Sequence, residues 1–437
     1  MERICKKIDV FLTDHQMHYQ QIDFTVNCRL FLEEMEKGLA GKDGSLKMIP
    51  TYIEPGGEIP REKPIIVVDA GGTNFRVALV SFDREKKPVI KKFKVFPMPG
   101  STGEISKEDF FTSLARYTGE IINESDLIGF CFSYPTEILP DKDGRLICLT
   151  KELKVKDIEG ELIGKNLLAA LKKQGFNEEK KVVILNDTVA TLLAGKTLSG
   201  ERDFDSFIGF ILGTGSNTCY IEENHNIGKI ADLDPAKRMI INVESGSYGK
   251  APRGVIDWEF DRSLKDPGHY LFEKMISGAY LGELILLTGK RAAASGIFSS
   301  GFSQSISDLA ALKTIDVNDF FHYPPGSKNP LSRCLQNGRD EDALALYYLM
   351  DRIIERAAFL VAIKLSALMI KTGQGTDPRR PVCITADGTT FYRMKGLRDR
   401  VNYFLKKYLT DEKELYYEFV QVDNAPLIGA AIAGLTN

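Results

Sequence analysis

An amide and a carboxylate stand side by side at the end of an apolar run, Val182-Val183-Ile184-Leu185-Asn186-Asp187, and their chemistry suits a substrate hydroxyl. Asn186 could orient the hydroxyl while Asp187 accepts its proton as a general base. The same residues also suit a helix start. An Asx side chain caps the free N–H groups of a first turn, and Asp187 could do so alone for the segment from Val189 to Gly195. On these residues by themselves both readings stand.

Two glycine-bearing turns flank that pair in sequence. The first follows Ile65-Ile-Val-Val and reads Asp69-Ala-Gly71-Gly72-Thr73-Asn74-Phe75-Arg76, after which the alternation from Phe75 to Val80 starts a return strand. Glycines, having no Cβ, bring backbone N–H groups close to a phosphate; Thr73 adds a hydroxyl donor, and Asp69 could hold Mg²⁺ through its waters. The second turn, Gly213-Thr214-Gly215-Ser216-Asn217, repeats the plan between apolar strands. This echo predicts two related halves gripping one nucleotide between two hairpins. Neither turn is a GxxxxGK[ST] loop, since Gly249-Lys250 is followed by Ala251, and Gly213-Thr-Gly215 runs into a strand rather than a dinucleotide-binding helix. A third polar strand end, Asp387-Gly388-Thr389, suits another phosphate contact. Ser133, at the end of the run 127–132, reads equally as a hydrogen-bonding partner for substrate and as a turn residue before Tyr134-Pro135.

An α/β scaffold must position these residues. Apolar, β-branched runs at 65–70, 75–83, 88–95, 127–132, 180–185, 207–212, 238–243, 381–386 and 415–421 predict strands. Between them, 1–40, the segment opened by Ser106, 159–174, 268–288, 340–372, 393–408 and 425–434 predict helices. Ligands of such sheets gather at the carboxyl ends of strands. The stretches 141–160 and Pro324 to Pro330 read as loops, the loop 47–64 marks a domain edge, and Trp258 is expected to pack. A chain of 437 residues suits two lobes. Hydrophobic residues at 43% with no long apolar run exclude disorder and a membrane span. Lys+Arg 57 against Asp+Glu 60 gives a net charge of −3 and no basic face, which speaks against nucleic acid. Seven cysteines without a CxxC pair read as reduced thiols, and the amino terminus lacks the apolar core of a signal peptide, so a cytoplasmic protein is expected. Among five scattered histidines, His15 and His18 are expected on an exposed polar helix face rather than around a metal. Glu273, taken alone, reads as a solvated helix residue.

The assembled order resembles the hexokinase family over nearly the whole chain. The matching pieces are Leu46-Lys-Met-Ile-Pro50-Thr51, Asp69-Ala-Gly-Gly-Thr-Asn-Phe-Arg-Val77, Ser133-Tyr-Pro135, Thr150-Lys151, Asn186-Asp-Thr188, Gly213-Thr-Gly-Ser-Asn217, Asn242-Val-Glu244 and Pro267-Gly268 through Glu283. Each is weak alone; their succession is specific. The resemblance implies an actin-like ATPase (ribonuclease H-like) fold, two α/β lobes about a central cleft. The small lobe would be 62–203 and the large lobe 1–61 with 204–437, the final helix returning toward the small lobe. It further implies transfer of the γ-phosphoryl group of ATP, with Mg²⁺, to the 6-hydroxyl of glucose or a related hexose, the entry step of glycolysis.

On that resemblance Asp187 would be the general base, and Ser133, Thr150, Lys151, Asn186, Asn217, Glu244 and Glu273 would hold the sugar. Asp69, Gly71, Gly72, Thr73, Asn74, Arg76, Gly213, Thr214, Gly215, Asp387, Gly388 and Thr389 would serve the nucleotide. The sequence departs from the family in three places. Glu244-Ser-Gly-Ser-Tyr-Gly249 replaces the usual Glu-Trp-Gly-Ala-Phe-Gly, and Asp423-Asn-Ala-Pro-Leu-Ile-Gly429-Ala-Ala431 replaces Asp-Gly-Ser-Gly-Lys-Gly-Ala-Ala. No basic-His-Pro run follows Thr389. A non-catalytic sugar sensor of the same family would be expected to have lost the base or a phosphate hairpin, and neither is lost. A filament protein of the actin superfamily would have no use for Thr150-Lys151, Glu244 and Glu273.

Overall fold

Two sheets are built on one plan. In the computed structural model, residues 1–149, 153–200, 202–326 and 328–437 are described, with the backbone alone at 199 and 200. The first sheet comprises β1 (Ile65–Ala70), β2 (Asn74–Phe82), β3 (Pro88–Pro97), β4 (Leu127–Phe132) and β5 (Lys181–Leu185), in the order β3-β2-β1-β4-β5. The second comprises β6 (Ser206–Leu212), β7 (Ser216–Glu223), β8 (Arg238–Asn242), β9 (Val382–Asp387) and β10 (Tyr417–Val420). Its order is β8-β7-β6-β9-β10, with Ile49–Pro50 added beyond β8. In each, three consecutive strands pair antiparallel, the first two through a tight glycine turn, and two further strands run parallel to the first of the three. The repeat seen in the two glycine turns is therefore a repeat of whole sheets.

Local sequence explains the elements. β1 is buried along its whole length, as a central strand covered on both faces must be, whereas edge strand β3 exposes Lys91, Lys92, Phe93, Lys94 and Val95. Ser106 caps the helix Lys107–Gly119 by accepting from the Asp109 N–H at 3.0 Å. α1 (Asp187–Gly195) leaves β5 directly. α2 (Asp340–Thr372) starts on three acidic residues and stops at Gly373, which takes the left-handed conformation at φ 62°. α3 (Ala425–Thr436) is the last element.

Three cores result. One packs the helices 107–119 and 163–173 on the first sheet, and a second packs α2 with Glu2–Asp14 and Phe24–Leu39 on the second. The third joins them: Ile65, Val67, Val183 and Leu185 of the first sheet, Cys219 and Ile240 of the second, and the alanine, valine, leucine and isoleucine side chains of α1 and α3. α1 presses on the second sheet at Gly209, where a Cβ would overlap the Thr188 carbonyl, and Cys219 Sγ donates to that carbonyl at 3.1 Å. α3 crosses α1 at Gly429 and β4 at Gly129, again with no room for a Cβ.

Several expectations are corrected. The helical stretch 1–40 is broken at 15–23, and His18 is buried beside Asp9 rather than exposed. The segment 268–288 is two helices, Glu273–Ile276 and Leu281–Ala294, parted at Ser277. Trp258 is 42% exposed, its ring covered on one face by Arg253 at 3.5 Å. Pro330, read as a loop residue, is the first residue of the helix Pro330–Leu335 capped by Asn329, a position where its missing N–H is harmless. The polar stretch 141–160 contributes Gly144–Leu146, which pairs with Thr136–Ile138.

Candidate active site

At the carboxyl edge of the first sheet the parallel register sets Asp69 of β1 opposite Cys131 of β4, and Cys131 opposite Leu185 of β5. Ser133, Asn186 and Asp187 follow immediately. The cap question is resolved by geometry. Asn186 is the N-cap of α1, its side chain accepting from the Thr188 N–H at 2.8 Å, and Asp187 occupies the first helical position. The Asp187 carboxylate is therefore not consumed in capping, and the helix dipole favours a negative charge there.

Asp69 is 2% exposed, and Arg76 Nη1 donates to its Oδ2 at 2.6 Å. Burial pushes the Asp69 carboxyl above its ordinary range, Arg76 opposes this, and the charge of Asp187 adds to the rise. The first hairpin is held shut by Gly71 N–H to the Asn74 carbonyl at 3.1 Å and by the Tyr134 hydroxyl donating to the Gly71 carbonyl at 3.0 Å. Gly72, Thr73 and Asn74 form its tip, Thr73 being exposed.

On the second sheet three polar side chains interlock. Asn217 Nδ2 donates to Asn242 Oδ1 at 2.8 Å and to Glu244 Oε1 at 3.2 Å, while Asn242 Nδ2 donates to the same Glu244 oxygen at 2.7 Å. Glu244 sits in the left-handed region at φ 55°, ψ 48°, a conformation that costs free energy for a side-chain-bearing residue and concentrates at functional sites. Burial pushes its carboxyl up, the two amides pull it down, and Asp187 pushes it up again. Asp187 thus stands close enough for its charge to oppose ionisation of both Asp69 and Glu244, one from each sheet. A cavity beside it is lined by Phe132, Tyr134 and Asn186 on one side and Ile49, Thr51 and Asn242 on the other.

The second hairpin is tied down from three elements. The Gly213 carbonyl accepts from the Gly278 N–H and the Thr390 hydroxyl, both at 2.8 Å, and the Thr214 carbonyl from the Ala279 N–H at 3.0 Å. Ser216 N–H donates to Glu273 Oε2 at 2.7 Å, and a Cβ at Gly215 would come within 2.7 Å of that oxygen. Gly388, at φ 115°, lies against the backbone of Leu212 and Gly213, so Asp387-Gly388-Thr389 abuts this hairpin. Asp387 spends a carboxylate oxygen on the Gly388 N–H at 2.7 Å.

The expected residues therefore fall into two groups, Asp69, Arg76, the first hairpin, Ser133 and Asn186 with the first sheet, and Asn217, Glu244, Glu273, the second hairpin and Asp387 to Thr389 with the second, and Asp187 acts on Asp69 of one and Glu244 of the other. Thr150 and Lys151 lie outside the described residues. Sequence reasoning passed over Asn242, which joins Asn217 to Glu244; its place at a strand end two residues before Glu244 was the available signal. Ser216, read only as a turn residue, carries Glu273.

The paired sheets, the repeated topology and the site at their junction define a two-lobed actin-like ATPase fold. The chain matches in full length a hexokinase from Schistosoma mansoni solved with glucose, at a TM-score of 0.79 and 22% identity over 100% of this chain and 99% of that one. A glucokinase from an Antarctic psychrotroph shares the fold more distantly, at a TM-score of 0.54 and 15% identity over 86% of this chain and 100% of that one. Hexokinase sequence profiles match residues 7–197 and 207–436, and the chain belongs to the hexokinase family. It is 29% identical over 428 residues to human hexokinase-1, covering 93% of this chain and 46% of that one, and 29% identical over 427 residues to rat hexokinase-2 with the same coverage. The chain spans about half the length of these mammalian relatives.

Proposed function

We propose that the chain is an ATP-dependent hexose kinase that transfers the γ-phosphoryl group of Mg-ATP to the 6-hydroxyl of glucose and related hexoses. One observation carries the reading: Asn186 takes the cap of α1 and leaves the Asp187 carboxylate beside the Asn217–Asn242–Glu244 network. Amides and carboxylates match a polyol, each sharing several hydroxyl hydrogen bonds, and an unmatched one costs roughly 1–3 kcal/mol. Asp187 accepts the proton of the 6-hydroxyl as its oxygen bonds to the γ-phosphorus and the bond to the β-phosphate oxygen breaks. Asn186, Asn217, Glu244, Glu273 and Ser133 orient the ring, together with Thr150 and Lys151. The backbone of Gly71 to Asn74 and of Gly213 to Gly215 cradles the phosphates, with Asp387 to Thr389 alongside.

Among the described residues no group of three His, Cys, Asp or Glu is arranged to hold a metal. The negative charge of Asp69, Asp187 and Glu244 nevertheless suits a divalent cation entering with the nucleotide, which Asp69 would hold through water. That cation supplies charge neutralisation at the phosphates when bound. The two-lobe division at 62–203, against 1–61 and 204–437, follows the two sheets and belongs to the same proposal. A cytoplasmic site of action belongs to the same proposal, and the seven free thiols are what a reducing compartment keeps.

A coupled assay for sugar 6-phosphate, run with glucose, fructose, mannose and N-acetylglucosamine against several nucleotides, tests the reading. A wild-type chain that binds glucose but transfers nothing would sink it. Glu244→Gln is expected to weaken glucose binding about tenfold or more by calorimetry, because a charged acceptor is lost. The same variant should unfold at a higher temperature than wild type at pH 7–8 without sugar. Glu244 holds its proton more tightly in the fold than in the unfolded chain, so the carboxylate destabilises the fold at higher pH, and the gain from Gln disappears below about pH 4.

A further inference from the structure

Lys364 lies in the middle of α2 with no exposed surface, in the run Leu360 to Met369 that is otherwise apolar except for Ser366. Its ammonium donates to Ser216 Oγ at 2.7 Å and stands 5.0 Å from the ring centre of Phe210 and 5.7 Å from that of Phe272. Ser216 in turn gives its backbone N–H to Glu273 at 2.7 Å. A charge so buried is costly, and a methionine or leucine would fill the same space without that cost. Burial pushes the ammonium down to about 7, and Glu273 opposes the fall. Among the described residues Glu273 is the charged group that acts on it. Phe210 from β6, Phe272 and Ser216 bring no titrating side chain, and Lys274 is turned away onto Asp261 at 2.8 Å and Asp266 at 3.3 Å.

From this geometry we propose that Lys364 is a positioning residue for the hexose: through Ser216 and its own charge it holds Glu273 aimed as an acceptor beside the second phosphate hairpin. The inference rests on the hexose-kinase reading, which gives Glu273 to the sugar. Two effects are separable. The hydrogen bond fixes Ser216, whose N–H aims Glu273, and the positive charge attracts the Glu273 carboxylate and holds it in place. As pH rises through about 7 the lysine loses its proton, so the second effect fades while the first persists.

Lys364→Met keeps the length and removes the charge. Calorimetry with glucose at pH 6.5 and 9, with thermal unfolding over the same range, tests the role. The variant is expected to bind glucose about tenfold more weakly at pH 6.5, the worth of one hydrogen bond to a charged group, with kcat changed much less. Wild-type affinity should fall toward that of the variant at pH 9, while the variant stays flat. Glu273→Gln should cost less in the Lys364→Met background than in wild type, since the two residues act together.

Thermal unfolding reads the buried charge without substrate. The unfolded lysine keeps its proton to about pH 10.4, so the unfolded chain binds more protons above pH 7 and wild-type stability rises through that window relative to Met. The melting-temperature advantage of Met should be largest at and below pH 7 and shrink toward pH 10. Ser216→Ala is a second probe: loss of its hydroxyl should move the midpoint of the affinity profile to lower pH. Equal glucose affinity and equal pH profiles in wild type and Lys364→Met would overturn the role of Lys364 and leave it a packing residue. A wild type that binds no hexose, while the thermal difference persists, would instead overturn the kinase reading and with it this role.

Discussion

Asp187→Ala is expected to lower kcat for glucose phosphorylation by about 10²- to 10⁴-fold, the usual contribution of a positioned general base, while the glucose Kd changes only a few-fold. The structural reasons lie in what the substitution leaves intact. The cap of α1 belongs to Asn186, so no helix N–H loses its partner. The Asn217–Asn242–Glu244 network closes on itself without Asp187. Removal of the negative charge also relieves Asp69 and Glu244, whose carboxyls it pushes up, so the variant should be at least as stable as wild type near neutral pH. A coupled assay, glucose calorimetry and a thermal melt on the same preparation make the comparison. A kcat within tenfold of wild type in a folded, glucose-binding variant would remove Asp187 from the chemistry.

Gly429→Ala is expected to cost roughly 3 kcal/mol of stability, at the upper end for overpacking a core, although it adds one methyl group. The added carbon would overlap the carbonyl, its carbon and the Cα of Ala190, all backbone atoms of α1 that no rotamer change can move. Separating α3 from α1 would also disturb the contact of Ala430 with Gly129 of β4. Because Ala190 lies one turn beyond Asp187, activity per folded molecule should fall too. Urea unfolding gives the measurement, and Gly56→Ala, with open space around the new carbon, is the control expected within about 0.5 kcal/mol of wild type. A loss below about 1 kcal/mol would be incompatible with so close a crossing.

The two sheets were legible because their strands are short apolar runs ending in glycine and hydroxyl turns, a pattern local enough to read without neighbours. The helices between 255 and 335 were less so. Ser300–Asp308 and Thr314–His322 are rich in serine, threonine and aspartate, which favour caps and turns when considered singly, and their Phe302, Ile306, Val317, Phe320 and Phe321 are buried by packing on the rest of the core. Asp187 shows the limit at the site itself: whether it caps or serves depends on one residue of helix register, below the resolution of periodicity. Lys364 was visible as a lone cation in an apolar run, but its partner lies 148 positions away, and only the fold brings Ser216 beneath it.

The joint between the sheets is made of α1 and α3, where Val189-Ala190-Thr191-Leu192-Leu193-Ala194-Gly195 meets Gly429-Ala-Ala-Ile-Ala-Gly434. Long side chains would interlock there like gear teeth and fix one angle. At the crossing itself Gly429 and Ala190 put the two backbones in direct contact with no side chain interleaved, while Val189, Leu192, Leu193 and Ile432 pack into the core around it. On the proposed function, a ligand touching Asn186 on one side and Asn242 on the other would help to set the angle between the sheets.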